Sequence, residues 1–143
     1  MIRAVLDANV LVSAAIRAGG KPDQIVRKGR GGFTWLTSEF IVSEVAGVLN
    51  RPRIQAKYQA RVTPEECAEF LATIRTAARA VEVTSLVTVV KQDPNDNPVL
   101  ACGIDGQADY IVTGDRHLLA LGTYAEIQLV TPAQFLLILA VRA

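Results

Sequence analysis

Asp7, Glu44, Asp96 and Asp115 are the residues whose type and setting could support chemistry in this chain. Asp7 closes the apolar run Met1-Ile2-Arg3-Ala4-Val5-Leu6, and Asp115 follows a second one, Tyr110-Ile111-Val112-Thr113. In an α/β sheet, an acid after a buried parallel strand lies at the carboxyl edge, where such sheets build their sites. Asp96 leads into a helix from the turn-rich run Asp93-Pro94-Asn95-Asp96-Asn97-Pro98, and Glu44 falls on the helix after the second strand. Any one of these acids could simply cap a helix or oppose its dipole, as Glu65, Asp93 and Asp105 are expected to do. Capping does not explain why Asp7 and Asp115, following separate strands, should share one edge.

Carboxylates gathered within roughly 4–6 Å raise one another's pKa unless a cation neutralises them. The chain has a single histidine, His117, and two cysteines, Cys67 and Cys102, without metal-type spacing. Multi-histidine and thiolate sites are thereby excluded, which leaves a hard, oxygen-seeking ion, Mg²⁺ or Mn²⁺. His117 reads as a surface or helix-turn residue and not as a ligand, and the cysteines as small hydrophobes. An acid-held ion acidifies water and stabilises a pentacoordinate phosphate. Nine basic residues between Arg17 and Arg61 face only Asp23, Glu39 and Glu44. That section is either a polyanion-binding rim or an ordinary solvated surface. If it binds a nucleic-acid backbone, metal-assisted phosphodiester hydrolysis follows.

The elements that must position these acids are legible in the periodicity. A first helix over 9–16 ends at Gly19-Gly20, and a short second one runs from Pro22 to Lys28. Phe33-Thr34-Trp35-Leu36-Thr37 is a strand, and Ser38 caps the helix carrying Ile41, Val45 and Leu49. Thr63-Pro64-Glu65-Glu66 and Thr131-Pro132-Ala133-Gln134 are capping boxes that open further helices. The branched segment Val81–Val90 is expected to contain at least one strand, and Ile127–Val130 the last. Phe135–Val141 is apolar all round, so its helix is expected to bury itself against the sheet or a second subunit. Alternating strands and helices predict a mainly parallel sheet flanked by helices in one three-layer α/β domain over 1–143. Right-handed crossovers then put Asp7 and Asp115 side by side. No run is long and apolar enough to span a bilayer, and Asp7 and Asn9 interrupt any signal-peptide core. The expectation is a cytoplasmic protein with no membrane association.

With these residues in view, the sequence resembles the PIN-domain ribonucleases over essentially its whole length. Val5-Leu6-Asp7-Ala8-Asn9-Val10-Leu11 resembles the family's first strand, and Ser43-Glu44-Val45 its second acidic segment. Asp93-Pro94-Asn95-Asp96-Asn97-Pro98-Val99-Leu100-Ala101 resembles the third, and Ala108 through Leu119, with Thr113-Gly114-Asp115, the fourth. The likeness is nearest to the stand-alone toxins of prokaryotic toxin–antitoxin pairs, relatives of VapC. It implies a Mg²⁺- or Mn²⁺-dependent endoribonuclease acting on RNA, held inactive by a small antitoxin and often a homodimer.

Under this resemblance Asp7, Asp96 and Asp115 hold the metal and Glu44 binds it or positions the attacking water. Asn9, Thr113 and Asn97 support the ligands, although Asn9 is equally a candidate cap for the first helix. Arg116, Lys21, Arg51 and Arg53 are candidates to contact substrate phosphate, and Arg116 is alternatively a partner for Asp115. Pro98 after Asn97 departs from the pattern: Asn97 becomes a candidate cap, Asp96 is left outside the helix, and Asp93 stands as the fallback third acid. Asp109, at the start of its strand, should lie at the opposite edge.

Rival chemistries lack their residues. A haloacid-dehalogenase-type phosphotransferase would want an acid where Asn9 stands, and a nucleotide-binding fold a glycine turn where Asp7-Ala8-Asn9-Val10 stands. The serious alternative is a PIN-like module that binds RNA or protein without cleaving.

Overall fold

Ala4, Val5, Leu6, Ile111 and Val112 are all buried, which is why the central strands read as unbroken apolar runs. The computed structural model describes residues 1–59, 61–91 and 93–142. Its strands are β1 (Arg3–Leu6), β2 (Thr34–Thr37), β3 (Arg79–Ala80), β4 (Tyr110–Val112), β5 (Thr123–Tyr124) and β6 (Ile127–Val130). They form one six-stranded sheet in the order β3-β2-β1-β4-β6-β5. β1 pairs in parallel with both β2 and β4, and β6 in parallel with β4, while β5 runs antiparallel to β6. The carboxyl ends of β1, β2, β4 and β6 therefore share an edge.

The helices are α1 (Ala8–Ile16), α2 (Lys21–Lys28), α3 (Glu39–Leu49), α4 (Pro52–Lys57), α5 (Pro64–Ala77), α6 (Asn97–Asp105), α7 (Arg116–Leu119) and α8 (Pro132–Arg142). Their starts follow the capping chemistry in the sequence. Ser38 Oγ accepts from Ile41 N at 3.4 Å and Thr63 Oγ1 from Glu66 N at 3.1 Å. At Thr131 the capping box closes both ways: Gln134 N donates to Thr131 Oγ1 at 3.1 Å and Thr131 N to Gln134 Oε1 at 2.9 Å.

Two expectations need correction. Val81–Val90 forms no strand; the ladder stops after Val81 N donates to Thr37 O at 2.8 Å. Side chains then take the backbone groups that a strand would use. Asp105 accepts from Thr84 N and Ser85 N at 2.6 and 2.8 Å, and Asn97 binds both Val90 N and Val90 O at 2.8 and 2.9 Å. The second correction is β5, a strand absent from the sequence reading. It is folded onto β6 by Ala125 and Glu126, which adopt φ of 50° and 67° without glycine. α8 seats one face on the domain, where Phe135 meets Phe33 edge-on at 5.1 Å and Leu139 is buried, and leaves Leu137 and Val141 68% and 86% exposed. Among the described residues no helix is long and apolar enough to cross a membrane.

Candidate metal centre

Each acid arrives by a different local route. Asp7 leaves β1 as its backbone N–H donates to Val112 O at 2.9 Å, and its Oδ1 caps α1 by accepting from Ala8 N at 2.7 Å. Its Oδ2 accepts from the Thr113 hydroxyl at 2.7 Å and from Asn9 Nδ2 at 3.0 Å. Asn9 is thus not the cap; its amide ties Asp7 to the next strand end, since its Oδ1 accepts from Gly114 N at 3.0 Å. Thr113, fully buried, also accepts from Asp115 N at 3.0 Å. Asp115 caps the single-turn helix α7, its Oδ1 accepting from His117 N at 2.7 Å and Leu118 N at 3.2 Å.

Asp96 closes a 3-10 turn, Pro94–Asp96, that Asp93 opens by accepting from Asn95 N at 3.1 Å. Asp96 is the residue immediately before α6, but its side chain makes no capping bond. Asn97 does not cap α6 with its side chain either, nor does it support the acids, because its amide is committed to Val90. Asp96 is only 6% exposed, and its Oδ2 is buried with no hydrogen-bond partner among the described residues. An unmatched buried carboxylate oxygen costs free energy unless something cationic or protonated meets it.

Ligand atoms of Asp96, Asp115 and His117 all lie within 4.8 Å of one another. It is Asp96, not Asp93, that the fold turns toward Asp115. Burial, followed by the charges of Asp115, Asp93 and Asp7, pushes the Asp96 carboxyl up to about 7. Burial also raises Asp7, against the opposing hydrogen bonds from Thr113 and Ala8, and the charges of Asp115 and Glu44 push the same way. Glu44 is half-buried on α3, the helix after β2, near enough for its charge to act on Asp7. Asp7 feels the charges of Asp115 and Glu44, and Asp96 those of Asp115, Asp93 and Asp7, while Asp7 and Glu44 stand outside the tightest group.

This donor set fits a divalent ion: an orphaned buried oxygen on Asp96 and carboxyls of Asp7 and Asp96 raised by burial and neighbouring negative charge are what a cation would relieve. An open hollow of about 200 Å³ lies alongside, lined by Asn9, Val10, Ser13, Pro22, Gly114, Asp115 and Pro132. His117 is the neighbour that sequence reasoning dismissed. Its Nδ1 is 3.7 Å from Asp115 Oδ1, and the signal was its place one residue beyond Arg116 in a helix that Asp115 itself caps.

The basic candidates are dispersed. Arg116 is exposed and makes no ion pair with Asp115 among the described residues. Lys21 is exposed beside Pro22, which lines the hollow, and Arg51 and Arg53 are exposed at the start of α4. Asp109 lies at the opposite edge as expected, accepting from Arg3 N at 2.9 Å.

A parallel sheet with acids converging at its carboxyl edge is the arrangement of a PIN fold, and the sequence agrees. The PIN domain family model matches residues 3–117, and the chain belongs to that family. Among solved structures it is similar to PAE2754 from Pyrobaculum aerophilum, with a TM-score of 0.64 and 20% identity over 98% of this chain and 90% of that one. It is also similar to VapBC2 from Rickettsia felis, solved bound to a DNA fragment from their promoter. There the TM-score is 0.63 and the identity 14% over 92% of this chain and 98% of that one. No curated protein matches the sequence significantly.

Proposed function

We propose that this chain is a divalent-metal-dependent endoribonuclease and the toxin of a toxin–antitoxin pair. The observation that carries the reading is the orphaned Asp96 Oδ2, buried beside Asp115 and pressed by the charge of Asp7. A bound Mg²⁺ or Mn²⁺ supplies an acidified water and charge neutralisation at phosphate. Asp7, Asp96 and Asp115 hold the ion, and the Glu44 carboxylate orients the attacking water from the Asp7 side. Thr113 and Asn9 fix Asp7 in place. The exposed cations Lys21, Arg51, Arg53 and Arg116 bind RNA phosphates, so binding weakens with salt.

Family membership supports the nuclease chemistry, and the resemblance to stand-alone PIN-family toxins supports a small antitoxin as partner. The exposed Leu137 and Val141 support a homodimer in which a second copy covers them. Their replacement by glutamate is expected to leave a monomer in analytical ultracentrifugation.

A Mn²⁺ titration tests the reading. Mn²⁺ is expected to raise the melting temperature and to support RNA cleavage, and Asp7→Asn to remove both. If Mn²⁺ does neither, and Asp7→Asn only stabilises the fold, the chain is a binding module and the nuclease reading fails.

A further inference from the structure

Beyond the four acids, we propose that His117 is a ligand in this centre, giving it a mixed oxygen and nitrogen donor set that favours first-row transition ions over Mg²⁺. The inference rests on the acidic edge being a metal site, and it deepens that reading by assigning the ion preference to one residue.

The donors of Asp96, Asp115 and His117 already lie within 4.8 Å of one another. An ion with bonds of about 2.1 Å holds a trans pair of donors about 4.2 Å apart and a cis pair about 3.0 Å apart. Side chains within 4.8 Å of one another therefore reach a shared ion by closing in by about one to two ångströms. Each has capacity to spare. Asp96 Oδ2 is buried and unpartnered among the described residues. Asp115 commits Oδ1 to two amides, which leaves Oδ2 for a ligand. The His117 ring is not spent on Asp115, because 3.7 Å is too long for a hydrogen bond. Its backbone N–H, held at 2.7 Å by Asp115, fixes where the ring starts. Mg²⁺ takes oxygen ligands almost exclusively, whereas imidazole is a good donor to the transition series and to Zn²⁺. A nitrogen in the set therefore widens the preference for transition ions beyond what carboxylates alone would give.

The chain's only histidine makes the test direct. Calorimetric titration with Mn²⁺, Zn²⁺ and Mg²⁺ would compare the wild type with His117→Gln and Asp96→Asn. His117→Gln is expected to weaken Mn²⁺ and Zn²⁺ binding about ten-fold while Mg²⁺ affinity stays within about two-fold. In protein labelled with ¹⁵N-histidine, Zn²⁺ is expected to shift one ring-nitrogen resonance. Equal losses for all three ions, no loss for any, or an unmoved ring resonance at saturating Zn²⁺ would overturn the assignment. Asp96→Asn separates the two readings. If it weakens every ion while His117→Gln leaves the preference intact, only the histidine inference fails. If Asp96→Asn weakens none, the metal site fails with it.

Discussion

The Thr113 hydroxyl donates to Asp7 Oδ2 at 2.7 Å, joining positions separated by 106 residues of chain. The Thr113 hydroxyl oxygen in turn accepts from Asp115 N at 3.0 Å. One buried side chain therefore sets both the direction of the first acid and the turn that carries the fourth. This works only because β1 and β4 are parallel neighbours in register, with Leu6 opposite Val112.

Thr113→Val keeps the shape and removes the donor. Asp7, buried and already raised in pKa, loses a bond that stabilises its charged form. Leaving a buried carboxylate short of a partner costs about 1–3 kcal/mol. Urea unfolding without metal should show that loss, and Thr113→Ser should recover most of it. An unchanged midpoint for Thr113→Val would mean that the bond contributes nothing to the fold.

Asp96 makes metal-free stability depend on pH. Burial and the neighbouring carboxylates push its folded carboxyl up to about 7, from an ordinary value of 3.8. Between those values the folded state holds a proton that the unfolded state has released, so stability falls as pH rises through the window. Melting temperatures in chelator are expected to drop from pH 5 to pH 8, more steeply for wild type than for Asp96→Asn. Added Mn²⁺ should restore the loss at pH 8 in the wild type and not in the variant. A wild-type slope no steeper than that of Asp96→Asn would remove Asp96 as its source.

How far the sequence could be read follows from what each signal depends on. β1 and β4 were visible because strands buried on both faces leave apolar runs, β2 and β6 from aromatic and branched residues between turns, and right-handed crossovers put Asp7 beside Asp115. Val81–Val90 carries the same branched composition yet forms no strand, since Asp105 and Asn97 occupy its amides from positions a sequence cannot place nearby. β5 was hidden by a turn in which Ala125 and Glu126 take positive φ, where glycine or asparagine is the usual sign. Asn97 lay within the resemblance but serves Val90, and His117 looked peripheral because its approach to Asp96 depends on the 3-10 turn at Pro94–Asp96.

The Asp105 clamp gives a second pH-linked outcome, with the opposite sign. Bonds from the Ser85 hydroxyl, then the Ser85 and Thr84 amides, hold the Asp105 carboxyl below its usual range. A depressed carboxylate contributes stability above its unfolded pKa and loses it as pH falls through the folded one. Asp105→Asn is therefore expected to expose the Thr84 and Ser85 amides to hydrogen exchange at pH 7, while the β1 and β4 amides stay protected. If Thr84 and Ser85 exchange at the same rate in both proteins, Asp105 does not hold this segment.

Gly103 decides how closely α6, with Asp96 just before its first turn, can lie on the sheet. A Cβ there would stand 2.9 Å from Ile111 Cδ1 and 3.1 Å from Ile127 Cδ1. Gly103→Ala gains about 1 kcal/mol of helix propensity, and the side-chain tips it meets can shift slightly, so its net effect should stay within about 1 kcal/mol. Gly103→Val adds branched volume against the fully buried Ile111, and overpacking of that kind costs about 1–3 kcal/mol. Relief comes by lifting α6, which draws Asp96 away from Asp115. Gly103→Val is therefore expected to lose Mn²⁺ affinity as well as stability, and Gly103→Ala to retain both. If Gly103→Val lowers the unfolding midpoint while Mn²⁺ affinity stays at the wild-type value, the seating of α6 is not what holds Asp96 in the cluster.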